Sequence, residues 1–338
     1  MTRDKNNNYS AQRRRFLQLS GLALGGLALN PLAGISRAYA ADEEILIGYW
    51  PIVGGLPLYA GIEKGIFKQA GLNVRAVKFA SPQQVVESML TGRIHGCANG
   101  TATGALGLGE ISSPGLFKII CANPSNKNMV LDEFLIPANS TAKSIADLKG
   151  KKIASGPGIQ NVTMAKIILE KNGFENPQII ELPVGQHAPS LAAGQIDGVY
   201  TLEPTGTVAR VNHMGKVLET GVISRYVLGD ENAPWFGGAA ALTSQFIGSQ
   251  SAKAQAFIKA YGDAADFVTK NSDEARKYIA GYTSITPALV SEVPLPGFVM
   301  YPQLTGDNLQ WFQKFYDVFT ERKIFRQKVD VGSLIYRA

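Results

Sequence analysis

Cysteine and histidine are scarce in this sequence, with two Cys and three His in 338 residues. That is too few for a Cys/His zinc cluster or a disulfide framework. Charge of one sign is scarce too, once its distribution is followed. The formal net charge is +6, but six of the 33 Lys and Arg residues (Arg3, Lys5, Arg13, Arg14, Arg15, Arg37) and one of the 27 acids (Asp4) lie in the first forty positions. The other 298 residues therefore carry 27 basic against 26 acidic side chains, a net of +1. A nucleic-acid binder carries its basic excess on the folded domain, so that class is not expected. Beyond residue 40 there is no G-x-S-x-G, no H-E-x-x-H and no G-x-x-x-x-G-K-[ST]. The nucleophile elbow, the common zinc-protease pattern and the phosphate loop are thus missing. What is present is an ordinary globular composition, 45% hydrophobic and 18% charged, over a length that suggests two domain-sized units.

The start reads as an export signal. A basic stretch ends in Gln12-Arg13-Arg14-Arg15-Phe16-Leu17, a soft apolar stretch runs from Leu19 to Ile35, and Ala38-Tyr39-Ala40 offers a small-x-small cleavage site. Arg13-Arg14-x-Phe16-Leu17 resembles a twin-arginine signal. Gly25, Gly26, Asn30 and Pro31 interrupt the apolar stretch, so it would span a bilayer poorly. Cleavage after Ala40 and a periplasmic location are expected. No cysteine follows for lipid attachment, and no later segment approaches 18 apolar residues.

Short apolar runs then alternate with amphipathic ones. Strands are expected at 45–50, 73–79, 95–99 and 117–122, with helices at 56–69, 82–90 and 101–108 between them. The rhythm restarts with strands at 152–154, 178–182 and 198–202 and helices at 162–171 and 188–193. A strand at 237–243 and a largely helical tail (252–269, 272–280, 306–321) follow. This order calls for mostly parallel sheets covered by helices. One phrase occurs twice, Thr91-Gly92-Arg93-Ile94-His95-Gly96 and Ala193-Gly194-Gln195-Ile196-Asp197-Gly198, which suggests two lobes of the same local build.

Ligands of open α/β sheets bind beyond the carboxyl ends of the strands, where helix N-termini offer free N–H groups. The strand-to-helix turns at 50–55, 80–82, 99–101, 155–161, 183–187 and 203–205 are rich in Gly, Ser, Thr, Asn and Gln. From these turns come the candidate ligand-binding residues Trp50, Ser81, Asn99, Thr101, Gln160, Asn161, His187 and Glu203, with Trp235 added where the chain returns to the first lobe. Each polar member has helix capping as its competing role; Ser81 in particular precedes Pro82 at the start of a helix. Gly156-Pro157-Gly158-Ile159-Gln160-Asn161, with Glu181 twenty residues on, comes near a dinucleotide fingerprint. Asn161 stands where the third glycine belongs, and an exported protein is remote from cytoplasmic nucleotides, so a tight turn is the expected reading. His95 reads as a core histidine. Cys97 and Cys121 fall in expected strands, and spacing leaves open whether they are bonded.

Ile47-Gly48-Tyr49-x-Pro51, Pro57-Leu58-Tyr59, Glu63-Lys64-Gly65-Ile66-Phe67 and Ala70-Gly71-Leu72 resemble the opening of periplasmic solute-binding proteins of the nitrate/sulfonate/taurine and thiamine-precursor type. Asp147-Leu148-Lys149-Gly150-Lys151-Lys152-Ile153, the 193–198 phrase and Glu203-Pro204 resemble that family's second lobe. The resemblance implies a type II periplasmic-binding-protein fold, two α/β lobes joined by two crossovers around a ligand cleft. It implies lobes of 41–137 with 238–338 and of 138–237, and crossovers near 130–137 and 235–239. It also implies a small-molecule solute, an ABC permease and a cytoplasmic ATPase as partners, a monomer, and neither enzyme activity, cofactor nor metal. Sulfonates, taurine and nitrate are the expected solutes, with pyrimidines, thiamine precursors and aromatic acids as alternatives. A thiamine-precursor enzyme and a ligand-sensing module are readings of another class; the enzymes of this type carry a cysteine-rich run that this chain lacks. The family has Asp where this chain has His95.

Overall fold

Two sheets, each with its own helices, organise the computed structural model of the chain, which describes residues 43–338. The expected export signal lies outside the described residues. The strands are β1 (Ile45–Tyr49), β2 (Val74–Lys78), β3 (Gly96–Ala102), β4 (Phe117–Ser125), β5 (Asp132–Ile136), β6 (Ile153–Ser155), β7 (Ile180–Glu181), β8 (Gly198–Leu202), β9 (Lys216–Thr220), β10 (Trp235–Thr243) and β11 (Val299–Met300). The first sheet runs β11-β4-β10-β3-β1-β2 and the second β7-β6-β8-β5-β9. β2 and β3 are parallel to β1, while β10 is antiparallel to both β3 and β4. In the second sheet β6 is parallel to β7 and β8, and β5 is antiparallel to β8 and β9. One edge of the first sheet therefore gathers the carboxyl ends of β1, β3 and β4 with the amino end of β10. One edge of the second gathers the carboxyl ends of β6, β8 and β9 with the amino end of β5.

Local chemistry explains most element boundaries. Ser81 caps the helix Pro82–Leu90, its hydroxyl accepting the Gln84 N–H, and proline at the first helical position needs no N–H there. The helix expected over 56–69 is two helices, Leu56–Glu63 and Ile66–Gln69, because Gly65 takes a left-handed conformation (φ 71°). The repeated phrase performs one task twice. Asp197 Oδ2 accepts the Lys152 N–H at 2.8 Å, and His95 Nδ1 accepts the Leu46 N–H at 3.0 Å. Each acceptor precedes the glycine that pairs with the next strand, Gly198 with Ile153 and Gly96 with Ile47. Desolvation lowers the His95 pKa, which suits a neutral ring acting as acceptor. His95 thus does in the first lobe what Asp197 does in the second.

Three strands escaped the sequence reading, β5, β9 and the two-residue β11. β5 pairs with β8 and β9, so the chain has already entered the second sheet at Asp132, whereas the reading kept 41–137 in the first lobe. At the return, Trp235 and Phe236 already pair with Ser125 and Pro124 of β4, ahead of the expected boundary at 237–238. The strand expected at 178–182 shrinks to the exposed pair Ile180–Glu181 at a sheet edge. The C-terminal helices cover the first sheet. Helix Gly306–Glu321 buries Phe312, Phe315, Tyr316 and Phe319 at helical spacing, and Phe312 stacks on Phe236 with centroids 5.2 Å apart. Each such ring contributes about 1.5–3 kcal/mol by leaving water. One continuous buried cluster includes Trp50 and Trp235 of the first lobe and Phe134, Tyr200 and Leu202 of the second. Among the described residues no helix is long and apolar enough to cross a membrane.

Candidate functional site

The two strand edges face each other across a closed seam. The Val53 N–H, just after β1, donates to the Glu203 carbonyl at the end of β8 (2.9 Å). Gln160, in the first turn of helix Ile159–Lys171, spans the seam with both ends of its amide. Its Oε1 accepts the Gly104 N–H (2.7 Å) and its Nε2 donates to the Gly237 carbonyl (2.8 Å). The ring of Trp50 lies against Gly156, where an added Cβ would sit 3.3 Å from it. Arg322 and Glu170 close the rim with a 2.7 Å ion pair.

Buried polar atoms without a hydrogen-bond partner lie on eleven of the described residues; Gln83, Asn99, Thr101, Ser244 and Thr320 hold some, and six more residues at these edges hold the rest. On the first lobe they are Trp50 Nε1, Ser125 Oγ and Trp235 Nε1; on the second, Tyr200 OH, Asp132 Oδ1 and Glu133 Oε2. All six residues are at most 4% exposed. A buried polar group left unpaired costs about 1–3 kcal/mol, so six at facing edges mark a place built to meet a polar solute. They are close neighbours in the sheets: Trp235 pairs with Ser125, Tyr200 with Ser155, and Asp132 with Leu202.

The second edge is acidic. Asp132 Oδ2 accepts the Ile223 N–H at 2.9 Å, yet burial still pushes its carboxyl up to about 6. Glu203 accepts both the N–H and the hydroxyl of Thr207, each at 3.1 Å. Burial outweighs those bonds and raises its pKa. Glu133 is raised by burial first and by the neighbouring Glu203 charge second. Gly206 leaves room for it, since a Cβ there would overlap the Glu133 carboxylate.

The candidate residues divide into two groups. Trp50, Gln160, Glu203 and Trp235 stand at the seam. Glu203 also holds the Thr207 N–H in the first turn of the helix Thr205–Val211, after a cis Glu203–Pro204 peptide. Of the other five, Ser81, Asn161 and His187 have partners elsewhere, while Asn99 Nδ2 and Thr101 Oγ1 are themselves buried without one. Ser81 is the cap already described. Asn161 Nδ2 donates to the Pro157 carbonyl (2.8 Å) and braces its own turn. His187 is fully buried, with Nδ1 on Thr201 Oγ1 (2.8 Å) and Nε2 on the Leu182 carbonyl (3.0 Å). Both nitrogens are engaged inside the second lobe, and burial lowers its pKa to about 4. Asn99 Oδ1 accepts from the Tyr261 hydroxyl (2.7 Å), which turns it toward helix Ser251–Lys270 in the first-lobe interior. Thr101 is two residues along β3, beside the buried Cys97 thiol. Cys97 and Cys121 are free thiols, both pushed up to about 12 by burial. In the glycine turn, Glu181 Oε2 accepts the Gly158 N–H (2.9 Å), so that acid closes its own loop.

Ser125, Asp132, Glu133 and Tyr200 were not anticipated. The available signal was Asp132-Glu133 running straight into Phe134-Leu135-Ile136, two acids entering a stretch apolar enough to be buried.

Comparison with known proteins agrees with this architecture. The chain is similar to a binding protein of Brucella abortus, 25% identical over 283 residues, covering 82% of this chain and 81% of the relative. Among solved structures it is similar to the alkanesulfonate-binding protein of Xanthomonas axonopodis pv. citri bound to MOPS. That match has a TM-score of 0.70 and 19% identity, covering 88% of this chain and 99% of the other. It is also similar to the periplasmic nitrate-binding protein of Synechocystis, with a TM-score of 0.57 and 16% identity over 70% of this chain and 65% of the other. The fold is therefore that of the periplasmic binding proteins. The model of the NMT1-like family matches residues 39–284, and the chain, two α/β lobes closed on a polar seam, belongs to that family.

Proposed function

We propose that this chain is the substrate-binding component of an ABC importer. It captures one small polar organic solute between its lobes and presents the closed form to a membrane permease served by a separate ATPase. The observation that carries this reading is the set of six buried side chains at the facing strand edges, each with a polar atom that lacks a partner. Two lobes joined by two chain crossings suit closure around a solute, and the sulfonate and nitrate binders that share the fold lend it support. The reading places the protein in a periplasm, exported by its twin-arginine leader and cleaved after Ala40. Sulfonates, taurine, nitrate and pyrimidines form the first panel for a thermal-shift screen, since a solute that binds the folded state alone raises the melting temperature by mass action. The expected result is a specific stabiliser that also lowers the radius of gyration in X-ray scattering. A stabiliser that leaves the radius unchanged at saturation contradicts capture by closure.

A further inference from the structure

The charge of the solute can be argued from the seam itself, on the reading that the seam is where the solute binds. Among the described residues no Lys or Arg is buried, while Asp132, Glu133 and Glu203 are at most 4% exposed. Cations near the rim are engaged elsewhere: Arg210 with Glu292 (3.8 Å), Arg322 with Glu170 (2.7 Å), and Lys314 with the Leu228 carbonyl (2.8 Å). A desolvated anion would meet buried carboxyls and no buried cation. Helix N-termini are its other natural partners, but the chain's own oxygens already occupy an N–H at the head of four helices. Ser81 holds Gln84, Gln160 holds Gly104, Glu181 holds Gly158 and Glu203 holds Thr207.

Asp132 offers the opposite chemistry. One carboxylate oxygen is fixed by the Ile223 N–H, and the other, buried, has no partner. Asp132 and Tyr200 share one face of the second sheet, because Asp132 pairs with Leu202 and Phe134 with Tyr200. The Tyr200 hydroxyl is itself buried and unpartnered. A short path leads from there to the first lobe. Ser224 follows Ile223; its hydroxyl, which donates to the Ala233 carbonyl (2.8 Å), lies 3.3 Å from the Ser125 carbonyl, and Ser125 pairs with Trp235. An acceptor oxygen and a hydroxyl thus share one face of the second sheet, an arrangement that holds a cationic group by a charge-assisted bond.

We propose that the solute carries a protonated amine or amidinium, received by Asp132 Oδ1 with the Tyr200 hydroxyl beside it. Sulfonate and nitrate groups fall outside this class.

The test is titration calorimetry on the purified protein at pH 7.5 with matched probes: benzylamine, benzamidine and agmatine against benzenesulfonate, ethanesulfonate and nitrate. The expected result is saturable binding among the amine probes alone, weakened at least tenfold by Asp132→Asn. Tyr200→Phe, which leaves Asp132 and its Ile223 bond in place, should weaken it severalfold and covers the case in which Asp132→Asn fails to fold. Saturable binding of an anionic probe, no binding by any amine probe, or unchanged amine affinity in both variants would each overturn the proposal. Scattering separates this proposal from the importer reading. An anion that compacts the particle overturns the charge assignment and leaves capture by closure standing. An amine that binds without compaction upholds the charge assignment and counts against closure.

Discussion

The two facing edges are built from the same local pattern but hold different chemistry. The first-lobe edge is neutral: two indoles and a serine hydroxyl on closely packed backbone. A Cβ at Gly54 or Gly238 would lie within 2.9 Å of the Gly100 Cα, so three chain segments meet there with no room for side chains. The second-lobe edge is acidic, with Asp132, Glu133 and Glu203 buried beside one another and held by backbone and threonine donors. Packing density keeps the first edge rigid, whereas the second stores desolvated charge. A binding protein assembled this way would use its first lobe as a shaped platform and its second to select for charge.

The sharpest way to break this contrast is to crowd the acidic edge. Gly206→Ala would force a methyl into the Glu133 carboxylate, and overpacking of that kind costs about 1–3 kcal/mol, here at the upper end. Gly185→Ala, also in the second lobe, meets nothing within 4 Å and should stay within about 0.5 kcal/mol of the wild type. Urea unfolding of the two variants checks this. Equal midpoints would mean that Glu133 is not held tightly.

Titration separates the edges next. Glu203 has an ordinary pKa of 4.5 raised to about 7, and Glu133 is raised with it. Between those values the folded state holds protons that the unfolded chain has released, so stability is full below about 4.5 and falls as pH rises through about 7. Asp132 acts in the same sense between its ordinary 3.8 and about 6. His187, lowered to about 4, acts oppositely and loses stability as pH falls below 6.5, so its contribution is confined to the acid side. Above pH 6.5 the glutamates remain, moderated by Arg210. Unfolding midpoints should therefore decline from pH 6.5 to 8, and Glu203→Gln should flatten that decline. A wild-type profile that is level or rising there would remove the stored charge from the second edge.

Gln160 is the side chain that ties the edges together. Gln160→Ala removes two hydrogen bonds, each worth about 0.5–1.5 kcal/mol, from the closed form alone. The expected outcome is a solute affinity lowered about tenfold and a larger radius of gyration without solute. If both stay at wild-type values, Gln160 does not latch the lobes.

Much of the fold was legible because its signals are local. Helices Pro82–Leu90 and Gly306–Glu321 and strand β8 lie where capping, periodicity and glycine stops put them. β5 was not legible, because Phe134-Leu135-Ile136 is a short apolar run without alternation, and its place in the second sheet depends on pairing with β8, about 65 residues away. The same non-local pairing brings Asp132 to the site. Trp50, Gln160 and Glu203, expected from strand-to-helix turns, and Trp235, expected at the return to the first lobe, lie at the seam. Asn99 and His187 come from such turns too, but the partners that turn them inward, Tyr261 and Thr201, are unrelated to them by spacing. Which face a polar residue takes at a strand end is decided by such tertiary partners, and sequence pattern does not carry them.

The smallest expected effect concerns Ser81, on a first-lobe turn close enough to the seam to have been read as a solute contact. Its hydroxyl accepts the Gln84 N–H at 3.3 Å, and the Gln84 side chain reaches back to accept the Ala80 N–H at 3.1 Å. This reciprocal pair satisfies two backbone donors at the helix start and leaves the serine lone pairs facing the helix rather than a solute. Ser81→Ala should then cost about 1 kcal/mol of stability, while Ser81→Gly, which lets water reach the freed N–H, should cost a few tenths. Neither should move solute affinity by more than about twofold, because the cap is equally intact with the lobes open or closed. Chemical unfolding and calorimetric titration of the same two variants provide both readings. A loss of affinity of tenfold or more with wild-type stability would transfer Ser81 from the helix to the solute, and would give the first edge a polar contact outside its indole and serine frame.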